Sequence, residues 1–121
     1  MTHNQKGKGY LEVQKIDLFH MQQYAYVLKR MKEIKESDGS SMLDNSLVTY
    51  GAALGDGSTH QYYDLPMIVA GRGQGQVNQG RFIQCKSGTL NSNLWLSVAK
   101  LMGLEIESFA DSTGLISDMW A

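Results

Sequence analysis

Between about Glu12 and Lys35 the positions Val13, Ile16, His20, Tyr24, Val27, Met31 and Ile34 recur at steps of three and four. That spacing lines side chains along one face of an α-helix and predicts a long amphipathic helix. Lys29, Arg30, Lys32, Glu33, Lys35 and Glu36 read as its solvated face, and "SDGSS" at 37–41 supplies the turn chemistry that ends it.

Beyond the turn the period shortens. "SLVTYGAAL", residues 46–54, is β-branched and aromatic at its centre and then turns small, which predicts a buried strand. "LPMIVAG" reads as a second strand, with Pro66 at its start, where no ladder donor is needed, and "RFIQC" as a shorter third. A helix capped by Thr89 or Asn91 is expected to run to Met102, packing Leu94, Val98 and Leu101 inward and stopping at Gly103.

This order predicts an α/β fold: a partial three-layer sandwich in which a short mixed or parallel sheet is flanked by the long N-terminal helix and a C-terminal helix. Residues 1–36 are the first helical part, and residues 46–116 a strand–loop–strand–helix unit. Three short strands make a thin sheet that wants neighbours at both edges. The single segment, 1–121, therefore reads as the C-terminal part of a larger domain, and its exposed sheet edges predict self-association.

Composition narrows the picture only slightly. The chain is 42% hydrophobic and 19% charged, with 11 basic and 12 acidic residues, so it reads as globular and near neutral, without a nucleic-acid or membrane-surface signature. No apolar run is long enough for a transmembrane segment, and "MTHNQKGKGY" lacks the apolar core of a secretory signal. The single cysteine, Cys85, excludes an internal disulfide and a multi-cysteine zinc site, and is expected as a buried thiol at a strand end.

Candidate chemistry concentrates where the first predicted strand ends. Asp56 and His60 follow that end directly, and ligands of open α/β sheets bind beyond the carboxyl ends of the strands. A carboxylate with an imidazole suits zinc, manganese or iron, and His60 also suits general-base work. The alternative is plainer: Asp56-Gly57 makes a turn and His60 bonds to the loop backbone. His20 on the helix and His3 near the start complete the histidines, at no recognised helical ligand spacing.

"GRGQGQ" begins like a dinucleotide fingerprint but leads into another strand candidate rather than a helix, and so reads as a hairpin or crossover loop, with Arg72 and Arg81 at its flanks. No GxSxG elbow is present, and Ser58 reads as a turn serine. In "ESFADSTGL", Asp111 and Ser112 are expected to stabilise a tight turn.

Taken in order, "HMQQYAYVLKRM", "MLDNSLVTYGAALGDGSTH", "DLPMIVAGRGQGQVNQGRFIQ" and "NSNLWLSVAKLMGLEIESFADSTG" resemble the C-terminal portion of the bacterial family called domain of unknown function 1552, over about residues 2–116. Members of that family are several times longer and carry an export signal. The resemblance therefore implies an exported, periplasmic or envelope protein whose N-terminal majority precedes an internal Met1. It supplies no established activity. The chain departs from the family at Asn4, which follows His3 where the family tends to have a second histidine, at Ser58 in place of asparagine, and at Tyr62 in place of a loop histidine. These departures deplete a histidine-built metal site.

A fainter similarity, in the strand, acidic turn, histidine loop, proline-led strand and helix ending in "LMGLE", is to sulfatase and alkaline-phosphatase-like hydrolases. It implies a metal-dependent phosphate- or sulfate-ester hydrolase-like domain without its catalytic N-terminal part. A divalent transition metal would then be held by Asp56 and His60, with His20 and His3 as auxiliaries and no recognised nucleophile, and the isolated chain would be inactive. The rival expectation is a non-catalytic binding or envelope-associated protein that keeps the fold, for which the tyrosine-rich "HQYYD" suits a contact surface. The covering partner in either case is the missing N-terminal part or a second copy meeting the sheet edges.

Overall fold

The computed structural model describes residues 8–121. Among these residues two helices, α1 (Lys8–Glu33) and α2 (Asn91–Leu101), enclose in sequence the strands β1 (Val48–Gly51) and β2 (Met67–Ala70), and a 3-10 turn, Ser117–Met119, follows α2. The architecture is a small mixed α/β one.

No glycine or proline interrupts α1 after Gly9, so helix-compatible residues carry it through seven turns. It ends before the predicted turn. There Asp38 accepts hydrogen bonds from the Ser40 N–H (2.9 Å) and hydroxyl (2.6 Å), and Gly39 takes φ +87°, which a side chain would resist.

The sheet differs from the expectation in direction and size. β1 and β2 pair antiparallel, with Val48 opposite Ala70 and Gly51 opposite Met67, and they form the whole of a two-stranded sheet. A parallel pair needs a crossover, usually helical, to carry the chain back across the sheet. Residues 52–66 instead fold as turns and return the chain directly. Pro66 stands just outside β2, where its carbonyl accepts the Ala52 N–H (3.3 Å).

The predicted third strand does not form: "RFIQC" is irregular. Ile83 packs on the core while Phe82 points away, 89% exposed, and Arg81 donates to the Asp118 carbonyl (3.2 Å) rather than entering a ladder. Cys85 is consequently exposed, not a buried strand-end thiol.

The core is built around α2. Leu94 and Leu101 are buried with Val77 and Met119, and Val98, Val69, Met67 and Trp120 pack around them. The expected inward stripe and the stop at Gly103 (φ +83°) are both present. Neither predicted cap is used: Leu90 precedes the helix in extended backbone with no side-chain bond to its first turn. Polar groups on the same inward face pin the C-terminal segment. The Asn93 side chain exchanges hydrogen bonds with Thr113 (2.8 and 3.3 Å), and the wholly buried Ser97 hydroxyl accepts the Ile116 N–H (2.8 Å) while donating to the Asn93 carbonyl (2.7 Å).

Candidate functional site

The loop that carries Asp56 and His60 is a closed turn. Gly55 N–H donates to the Gln61 carbonyl (2.8 Å) and Gln61 N–H to the Asp56 carbonyl (3.0 Å), so Asp56 and Gln61 bridge across four intervening residues. The Asp56 carboxylate folds back over them, accepting the Ser58 N–H (2.7 Å) and the Thr59 hydroxyl (3.0 Å). Those two donors hold its carboxyl below the usual carboxylate range, the backbone N–H contributing most. His60 takes the left-handed conformation (φ 54°) at the end of the turn, as does Asp64 four residues on. The carboxylate therefore does what the plainer sequence reading gave it: it organises the turn.

Around this turn the surface is open. His60, Tyr62 and Tyr63 are exposed. His20 is exposed on α1, its ring 5.9 Å from that of Phe19. Among the described residues no three His, Cys, Asp or Glu side chains converge as metal ligands would. In this loop the Asp56 carboxylate is already committed to its turn. His3 lies outside the described residues.

The glycine-rich stretch is equally occupied with its own fold. Gly71, Gly73, Gln74 and Gly75 have positive φ, and the N–H groups of residues 72–77 all donate to backbone carbonyls, those of Leu43, Ser46 and Asp44 among them. None is left to cradle a phosphate. A side chain at Gly71 would collide with the Ser46 carbonyl, which explains the glycine there.

Beside it lies an open polar depression of about 630 Å3, lined by Glu36, Asp38, Asp44, Asn45 and Arg72 among others. Two of its carboxylates serve local turns: Asp44 accepts the Ser41 hydroxyl (2.6 Å) and N–H (3.0 Å) as Asp38 does those of Ser40. Hydrogen bonds from Ser41 and Ser40 respectively lower both carboxyls, and Arg72 and Lys35 add to the effect at Asp44.

A run of exposed apolar side chains lies on α1. Its last third is anchored: the Tyr24 hydroxyl donates to the Val48 carbonyl (2.9 Å), the Tyr24 and Tyr50 rings lie 5.2 Å apart, and the Met31 and Ile34 carbonyls accept the Leu43 and Met42 N–H groups. Burial of the Tyr24 ring raises its hydroxyl above the ordinary value. From residue 9 to 23, by contrast, the side-chain hydrogen bonds and ring contacts made among the described residues stay within the helix. Leu11, Leu18, Phe19 and Tyr26 are each more than half exposed, and Ile16 and Val27, on the stripe expected to pack inward, are 41% and 45% exposed.

The sequence pattern singled out the stripe through Ile16 and Val27 and passed over Leu11, Leu18, Phe19 and Tyr26. The available signal was that "LFHMQQYAYVL" is apolar on more than one side, which is the mark of a helix covered on more than one side. No family model, curated protein or solved structure matches the chain.

Proposed function

We propose that this chain is a non-catalytic binding segment whose working surface is the outer side of α1. What carries the reading is the exposure of Leu11, Leu18 and Phe19 along a part of the helix, residues 9–23, that no side-chain bond among the described residues braces. About four turns of helix without tertiary support are marginal in water, and apolar side chains left in solvent forgo about 25 cal/mol for each Å2 they would otherwise bury. Docking against a protein surface supplies both terms at once.

In this reading Asp56 and His60 serve their loop, and no hydrolytic step is assigned to them. Dialysis against zinc or manganese should leave no more than about a tenth of an equivalent on the chain, with no change on His60→Ala. A full equivalent lost on that substitution would favour the ester-hydrolase reading instead.

The docking role itself is tested by a photo-crosslinking amino acid placed at Leu18, with Ser87 as an exposed control, in the protein produced in its native host. Light-dependent covalent adducts are expected from position 18 and not from 87. A chain that accumulates normally and yields no adduct from position 18 would overturn the reading.

A further inference from the structure

Two exposed strips of opposite charge lie far apart in the sequence. Along α1, Leu11, Lys15, Leu18, Gln22, Ala25, Lys29 and Lys32 follow steps of three and four and form one stripe, whose charges are all basic. Phe19 and Tyr26 border it. The other strip is residues 102–115, after α2, where Met102 and Leu104 are each 56% exposed, and Phe109 and Leu115 are also exposed. Its charges, Glu105, Glu107 and Asp111, are all acidic. Glu105 and Glu107 border a shallow depression with Leu104, Gly103 and the flanking Lys100.

The same division holds along residues 8–121. Residues 8–33 carry five basic and three acidic side chains, whereas residues 34–121 carry five basic and nine acidic. Among the described residues every Lys or Arg salt bridge lies inside α1, and Glu105, Glu107 and Asp111 have none. Within one chain the basic stripe and the acidic strip thus do not neutralise each other.

We propose that the basic stripe of α1 in one copy lies against the acidic 102–115 strip of a second copy, and reciprocally, as a two-fold symmetric homodimer. The proposal rests on the reading of α1 as a docking surface and names what covers it. Each copy carries both strips, so one two-fold axis makes the contact twice and closes the assembly. A standard interface buries about 800 Å2 per partner. Eight large apolar side chains per copy, each about half exposed, with the lysine stems between them, supply apolar area of that order. Opposite charge at the borders sets the register and speeds encounter.

Sedimentation velocity of the full chain over a range of concentrations tests this. A reversible dimer is expected, weakened by salt. Lys29→Glu with Lys32→Glu should weaken it about tenfold at low salt, and Glu105→Lys with Glu107→Lys should do the same. The chain carrying all four changes should recover to within about threefold, a rescue that generic apolar clustering would not produce. Circular dichroism of each variant checks that both helices are kept.

A single copy at every concentration up to about 100 μM would overturn the proposal. So would a dimer whose four-fold variant shows no recovery. If the chain is single-copy while position 18 cross-links to a different protein, self-pairing fails and the binding role stands. If neither appears, both fail.

Discussion

Ser97 has no exposed surface, yet it is polar, and its hydroxyl joins α2 to the closing segment at Ile116. Ser97→Ala keeps the packing and leaves the Ile116 N–H without its acceptor, a loss of about 1–2 kcal/mol that urea unfolding should record. An unchanged midpoint would mean that Ile116 finds another partner. In the sequence Ser97 was one serine among many, although Asn93, Ser97 and Leu101 share the four-residue step that puts them beside the Leu94 stripe.

Three turn carboxylates contribute to the response of the fold to acid. Asp38, Asp44 and Asp56 are all lowered from 3.8 by turn hydrogen bonds, so the folded state binds fewer protons than the unfolded chain as pH falls through that range. Their contribution is complete above the unfolded value and is lost as pH falls through the lowered ones. The urea midpoint should therefore hold between pH 7 and 5 and decline below about 4. Asp56→Asn, which keeps an acceptor for Ser58 but cannot ionise, should flatten part of that decline. A midpoint that rises on acidification would contradict the assignment.

At the scale of elements, periodicity located both helices and both strands to within a few residues, because each carries its apolar residues at its own period. The direction of the sheet was not legible: "SLVTYGAAL" and "LPMIVAG" are short apolar runs that fit a parallel or an antiparallel ladder equally, and the turns of 52–66 decide between them. The anchoring of α1 was not legible either, since it depends on Tyr24 reaching the Val48 carbonyl from 24 residues away. Tyr24→Phe removes that bond while keeping the ring beside Tyr50. It should cost about 1 kcal/mol in urea unfolding and raise amide exchange in residues 24–33 more than in α2. Equal effects in the two helices would show that the bond stabilises the whole domain and does not act as a local tether.

At the scale of the molecule, the Asp56 carboxylate in the loop that concentrated the candidate chemistry is bonded within its own turn, and a run of exposed apolar side chains lies on a helix. Asp56 drew notice because an acidic residue after a strand suits a ligand site, but Asp-Gly is also turn chemistry, and the local hydrogen bonds take it. The thin sheet, Phe82 and the outer side of α1 all leave apolar surface in solvent. Of these, the first part of α1 alone combines length, a charged border and, among the described residues, no side-chain bond to the rest of the domain.

Amide hydrogen exchange, followed by mass spectrometry, measures that lack of support most directly. The chain alone is diluted until it sediments as a single copy, and peptides covering residues 11–23 are compared with those covering 92–101. The α1 amides are predicted to exchange on the order of a hundredfold faster than the α2 amides, which the core of Leu94, Leu101, Val77 and Met119 protects. Equal protection in the two segments would contradict the central claim, because the outer part of α1 would then be held by its own domain and have no surface to offer.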